Sequence, residues 1–180
     1  EGAVADGLLA VVLAPACAAC RHPLDSPTRA VVCDTCWKSI RPITPPFCAV
    51  CGESLRSWRS AHDDERCLHC RNGHTPIARG RTVGEYDGVL RTILHALKYE
   101  GRRSIAPVLS ALMRAQGQSV LSDADFVVPV PLHWRRRWAR GFNQAAALAA
   151  GLGLPVVHAL RRCRNTPSQT DLPAAARHAN

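Results

Sequence analysis

Eight of the nine cysteines fall in four Cys-x-x-Cys units: CAAC (Cys17, Cys20), CDTC (Cys33, Cys36), CAVC (Cys48, Cys51) and CLHC (Cys67, Cys70). No other feature restricts the fold as tightly. Two intervening residues let a tight turn aim both thiolates at one ion about 2.3 Å away, with backbone N–H groups bonded to the sulfurs. Two such turns complete a tetrahedron, so four turns imply two zinc ions, each held by four thiolates. Twelve, eleven and fifteen residues separate successive units. These near-equal lengths favour sequential pairing, a double zinc ribbon, with Cys17, Cys20, Cys33 and Cys36 on one ion and Cys48, Cys51, Cys67 and Cys70 on the other. An interleaved, cross-braced pairing is also compatible with the spacing.

Disulfides would need an oxidising compartment, and no secretory signal precedes the cysteines. An iron–sulfur cluster usually groups its cysteines more tightly. Zinc is therefore the expected metal and the cytoplasm the expected location. His22, His62, His69 and His74 lie nearby but are surplus to two complete thiolate sets. Cys163 stands alone and reads as an ordinary thiol. A segment this small and polar draws most of its folding free energy from the metal.

Composition bounds the rest. With 180 residues, 47% of them hydrophobic, the chain can build one good core or a small domain beside a medium one. No apolar run reaches the roughly 18 residues of a membrane span, so no membrane insertion is expected. The apolar stretch 8–13 imitates a signal peptide but has acidic Glu1 and Asp6 where basic residues belong; it reads as a short docking helix.

The net charge of +9 is unevenly placed. Residues 1–76 carry eight basic and eight acidic residues, and 77–180 carry fifteen against six, so the whole excess lies in the second part. Once eight thiolates and two dications are counted, the first part becomes anionic. The second part is the one suited to polyanions, either nucleic acid or phosphorylated metabolites. The change of pattern sets the expected domains at 1–76 and 77–180.

In the second part, 81–86 reads as a strand. Leu90, Ile93, Leu94 and Leu97 recur at helical spacing before Gly101, with Arg91, His95, Lys98 and Arg102 on the opposite face. A second helix follows, with Ser104 as N-cap, Pro107 in its first turn and Gly117 at its end. The apolar run 126–130 reads as a parallel strand covered on both faces, its prolines lying where strand gives way to loop. An alanine-rich helix and another strand around 154–160 complete a strand–helix–strand unit, and the class is α/β. The stretch WRRRWARGFNQ, 134–144, then occupies a loop between a strand end and a helix N-terminus, where such folds bind anions.

Together these motifs resemble the ComF family, which joins an N-terminal zinc ribbon to a phosphoribosyltransferase-like domain and is associated with competence and DNA uptake. The resemblance rests on the four Cys-x-x-Cys units; on YDGVLRTILHALKYEGRR, with Tyr86, Leu90, Lys98 and Gly101; on VVPVPLHWRRRWARGFNQ; and on RCRNTPSQTDLPAAARHAN, with Arg162, Arg164, Thr166, Gln169, Leu172, Arg177 and Asn180. It implies a phosphoribosyltransferase-type parallel-sheet domain with a site for phosphoribosyl pyrophosphate or a related phosphoribosyl compound. On that resemblance the substrate-binding residues are Lys98, Arg140, Gly141, Asn143, Gln144, Gln169 and Arg177. Arg135, Arg136 and Arg137 form a looser electrostatic rim. Asn143 and Gln144 have helix capping as their plain structural alternative. Mg²⁺ is expected in a complete enzyme. Partners implied are the phosphoribosyl ligand and, as a second reading, single-stranded DNA with the uptake machinery, for which Trp134 and Trp138 offer stacking faces.

The Thr/Gly-rich loop that holds the ribose 5-phosphate in phosphoribosyltransferases, and the acidic pair that holds the ribose hydroxyls, are not found up to Asn180; the only adjacent acidic residues, Asp63 to Glu65, lie in the zinc region. The expectation is a C-terminally incomplete domain, with about three strands of about five, and without turnover as given. A zinc-ribbon nucleic-acid-binding or adaptor protein without catalysis is the alternative.

Overall fold

A computed structural model describes residues 15–26, 28, 30–55, 65–73, 77–167 and 173. The docking helix expected at 8–13 lies outside them, as do His62 and His74.

The front of the chain is a repeated hairpin knuckle followed by a one-turn helix. In the first copy Cys17 N–H donates to the His22 carbonyl (2.8 Å) and Leu24 N–H to Pro15 (3.0 Å); in the second, Cys48 donates to Glu53 (2.8 Å) and Leu55 to Pro46 (2.9 Å). Antiparallel bridges Ala16–Pro23 and Phe47–Ser54 close the two hairpins. The third Cys-x-x-Cys unit thus repeats the first, and the fourth repeats the second. Helix α1 (Asp34–Lys38) and helix α2 (Leu68–Asn72) carry the last ligand of each set, Cys36 and Cys70.

Segment 79–86 is irregular rather than the strand its sequence suggests. Its polar groups are engaged elsewhere. Gly80 N–H donates to the Val50 carbonyl (2.5 Å) and Glu85 N–H to Arg41 (3.0 Å). Arg79 reaches the Ser119 carbonyl (2.6 Å) and the Asp123 carboxylate (2.5 Å). Gly80 and Gly84 permit this close approach: a Cβ on Gly84 would stand 2.5 Å from the Arg41 carbonyl oxygen. The segment is a strap laid across the ribbons.

Helix α3 (Gly88–Tyr99) follows the apolar period closely, burying Leu90, Ile93, Ala96 and Leu97. It ends at Gly101, whose φ of 68° is the left-handed conformation that glycine adopts freely. A single 3₁₀ turn (Arg103–Ile105) leads into helix α4 (Ala106–Gln116). Ser104 is therefore inside the 3₁₀ turn and not the N-cap; Ile105 holds that position without a side-chain bond. Pro107 lies in the first turn of α4, as expected. A short helix α5 (Gln118–Leu121) follows at once.

Helix α6 (Trp134–Arg140) covers most of the stretch expected to be a loop. His133 Nδ1 accepts from Arg135 N–H at its start (3.4 Å). Gly141, φ 73°, terminates it with bonds to Arg137 and Trp138. Arg, Trp and Ala carry no helix-breaking penalty, and the left-handed glycine supplies the stop. Helix α7 (Gln144–Ala149) then packs on α4. The buried Ser110 hydroxyl of α4 bonds the carbonyls of Ala106 and Leu148, both at 2.8 Å.

Parallel pairing among the described residues is a single bridge, Val127–Val156, made by Val127 N–H to Pro155 (2.8 Å) and Val157 N–H to Val127 (2.9 Å). The strands expected at 126–130 and 154–160 meet there and extend no further. Pro129, Pro131 and Pro155 lack the N–H groups a longer ladder needs.

The main core unites the first ribbon with the helices: Cys17, Ala18, Leu24, Val32 and Cys36 pack with Leu90, Ile93, Leu97, Ile105, Leu109 and Phe142. The second ribbon has a separate small core of Cys48, Leu55, Cys67 and Cys70. No helix among the described residues is long and apolar enough to cross a membrane.

Candidate metal centres and an arginine-lined cleft

Within each tetrad the four sulfurs all lie within 4.8 Å of one another, and the sets are Cys17, Cys20, Cys33, Cys36 and Cys48, Cys51, Cys67, Cys70. The pairing is sequential, and the cross-braced alternative falls. Three of the separations are 3.8 Å (Cys17–Cys36), 3.8 Å (Cys20–Cys33) and 3.7 Å (Cys51–Cys67). A tetrahedron with Zn–S near 2.3 Å has edges of about 3.8 Å. Disulfides would bring the sulfurs to about 2.05 Å. All eight thiols are free.

Backbone donors complete the first site: N–H groups of Ala19 (3.4 Å) and Cys33 (3.3 Å) point at Cys17 Sγ. Burial raises the Cys17 thiol, but the donors of Cys20, Cys33 and Ala19 outweigh it and bring it down to about 6. Cys48 is equivalent: burial opposes, and the N–H groups of Cys51, Cys67 and Val50 bring it down to about 6. Burial and neighbouring sulfurs push Cys36 upward, and they push Cys70 up to about 12. Each cluster thus stabilises one thiolate and resists the next. A dication removes the conflict by ligating all four. The residues fit two structural zinc ions.

Behind the ribbons a cleft of about 870 Å³ opens between α6, α7 and the segments that follow the Val127–Val156 bridge, from Pro129 and from His158 onward. Arg103, Arg137, Arg161 and Arg162 line it with His133 and His158, and no carboxylate is among its described lining residues. One wall is residues 160–163, and Thr166 just beyond ties the segment to α6: Arg136 donates to the Thr166 carbonyl, and Arg162 Nη2 to Thr166 Oγ1 (2.5 Å). Arg103 donates to the Gly141 carbonyl (2.5 Å) and stacks on Phe142 at 4.7 Å, so part of its capacity serves the turn.

Of the expected ligand-binding residues, Gly141 and Asn143 line this cleft. Asn143 also caps α7, its Oδ1 accepting from Ala145 N–H (3.0 Å) while its Nδ2 donates to Val130 (3.1 Å). Arg140 and Gln144 are brought together (3.3 Å), but on another face, where the Arg140 guanidinium lies 5.0 Å over the Tyr99 ring. Lys98, next to Tyr99 on α3, is half-buried and not among the cleft's described lining. Gln169 and Arg177 lie outside the described residues. Of the rim arginines, Arg137 enters the cleft and Arg135 stacks on Trp134 at 5.2 Å. Sequence reading passed over Arg103, Arg161 and His158. The run Arg161, Arg162, Arg164 was a signal for part of this; Arg103 was hidden behind the nearer helix pattern.

Duplicated thiolate knuckles backed by a basic helical part define a double zinc ribbon protein, and residues 8–71 match the model of the double zinc ribbon domain. The chain belongs to the ComF family. It is 32% identical over 167 residues to the DNA utilization protein YhgH of Escherichia coli K12, covering 81% of this chain and 74% of that one. It is 31% identical over 141 residues to the competence protein ComFC of Bacillus subtilis 168 (74% and 56% of the two chains). Competence protein F of Haemophilus influenzae Rd is 26% identical over 159 residues (83% and 66%). No solved structure matches the chain.

Proposed function

We propose that this protein acts in competence or DNA utilization, as its relatives' names state for them, and that its cleft binds phosphoribosyl pyrophosphate or a related phosphoribosyl compound. The carrying observation is the cleft's lining: four arginines and two histidines converge on about 870 Å³, with no carboxylate among the described lining residues. Guanidinium groups stay charged and grip phosphate oxygens in pairs. The volume falls within the usual range for a small-molecule site. The phosphoribosyltransferase-type parallel sheet belongs to the same reading; its support is the parallel Val127–Val156 bridge, which precedes the cleft residues Pro129 and His158 in the chain. A lining without carboxylates offers Mg²⁺ no acidic protein ligand, so the described residues do not fit the ion and no step is routed through it.

Thermal unfolding with added ligand tests this reading. A ligand at about 100 times its Kd stabilises by roughly 2.7 kcal/mol. Phosphoribosyl pyrophosphate is expected to raise the midpoint, and Arg161→Ala with Arg162→Ala to remove most of the shift. No shift with phosphoribosyl pyrophosphate or pyrophosphate would refute the assignment.

A second reading, nucleic-acid binding without catalysis, draws support from Trp134 and Trp138, 66% and 86% exposed on arginine-rich α6. Aromatic faces beside cations suit unpaired bases. That reading requires oligonucleotide affinity that falls steeply with salt.

A further inference from the structure

We infer that the two metal centres do different work: the first is a member of the core that supports the cleft, while the second organises a module that can be released without unfolding the helices.

The two ribbons repeat each other in backbone but not in what surrounds them. Cys17 and Cys36 belong to the same apolar cluster as Ile93, Leu97, Leu109 and Phe142. Phe142 is also part of the cleft lining, so a continuous packed path runs from the first sulfur tetrad to the cleft. The residue after the last ligand makes the difference visible. In α1 it is Trp37, packed against the main core. In α2 it is Arg71, whose Nε donates to Arg66 within its own ribbon (3.2 Å). The apolar residue of α2, Leu68, is exposed.

Among the described residues, the second ribbon contributes no side chain to the main core. It is held to the strap by polar contacts. Gly80 N–H donates to Val50 (2.5 Å), Arg81 to Ala49 (3.2 Å) and Thr82 to Gly52 (3.3 Å). Arg81 also lies 4.8 Å over the Phe47 ring. Hydrogen bonds of this kind exchange with water at small net cost, whereas the first ribbon's release would expose a packed apolar interface.

Cys36 and Cys70 provide a matched comparison: each is the last ligand of its set, each sits on a one-turn helix, and each is 5% exposed. The test uses the full zinc-loaded chain, with zinc per chain, helical circular dichroism and the thermal transition as readouts. Cys70→Ser is expected to lower zinc from two to one per chain and leave the helical signal and the cooperative transition in place. Cys36→Ser is expected to abolish both. If Cys36→Ser yields no soluble protein, chelator titration of the unaltered chain still decides. Two steps are expected, with the helical signal lost only in the second. A single concerted loss of both metals with the helices, or a Cys70→Ser chain without its cooperative transition, would overturn the inference.

Discussion

Arg21 and Gly52 hold the same place in the two knuckles, just after the second ligand, and both are left-handed, with φ of 65° and 75°. Their surroundings differ. A Cβ on Gly52 would stand 2.6 Å from the Gly80 carbonyl oxygen. Arg21 carries its side chain into solvent, with an exposed ion pair to Glu100 at 3.9 Å. One backbone shape is thus repeated, with glycine obligatory only where the strap crosses it.

Gly52→Ala should therefore cost more than the roughly 1–2 kcal/mol of a left-handed alanine, because the strap must also move. Arg21→Gly relieves left-handed strain and should change stability by about 1 kcal/mol or less. Urea unfolding of both variants, with zinc counted in parallel, checks the contrast. Equal losses would mean that the strap does not press on Gly52.

Acid should strip the metal. At Cys17 and Cys48 the thiol lies at about 6 against an ordinary 9.0, because backbone donors outweigh burial. A depressed folded value adds stability in full above the unfolded one and loses it as the pH falls through the folded one. These two thiolates stabilise the metal-free fold above 9.0 and cease to do so near 6. Cys36 and Cys70, pushed upward by burial and neighbouring sulfurs, act oppositely: their contribution is present below 9.0 and fades above it. Bound zinc needs every thiol deprotonated, so protons compete with it. Zinc per chain, followed with a chromogenic indicator, should hold at two through neutral pH and be lost in acid, at a pH below the metal-free value of about 6 because the bound ion itself opposes protonation. Both ions retained at pH values near 4 would contradict this.

Arginines of α6 should divide by face. Arg137 opens into the cleft, whereas Arg140 is engaged by Tyr99 and Gln144. Arg137→Ala is expected to weaken phosphoribosyl pyrophosphate binding by about tenfold or more, near 1.4 kcal/mol for one charge-assisted contact. Arg140→Ala should change it about twofold at most, on the order of 0.4 kcal/mol. Isothermal titration distinguishes the two, and a larger loss for Arg140→Ala would place the ligand on the Tyr99 face instead.

Asn143 has two separable bonds. Asn143→Ala removes the α7 cap and the tie to Val130, for a loss of about 1–2 kcal/mol. Asn143→Asp keeps the cap oxygen but sets a second carboxylate oxygen, an acceptor, where Nδ2 donated to Val130. Its thermal midpoint should fall between those of the parent and Asn143→Ala. A midpoint as low as that of the alanine variant would make the Val130 contact the dominant one.

What could be read without coordinates was whatever short-range spacing enforces. Cys-x-x-Cys fixes a knuckle within four residues, so the eight ligands were visible in the chain itself. Leu90, Ile93 and Leu97 recur within one helix, so α3 was equally plain. The stretch 134–144 misled because its basic residues suggested an anion loop while its His133 cap and Gly141 stop made a helix. Segment 81–86 misled because a β-like alternation does not reveal whether a neighbouring strand is there to pair with. Tertiary structure alone decided that the first tetrad shares a core with Phe142 while the second does not, and that Arg103 and Arg161 reach one cleft from positions far apart in the chain. Those outcomes depend on which surfaces exclude water against each other, and local sequence carries no record of its distant neighbours.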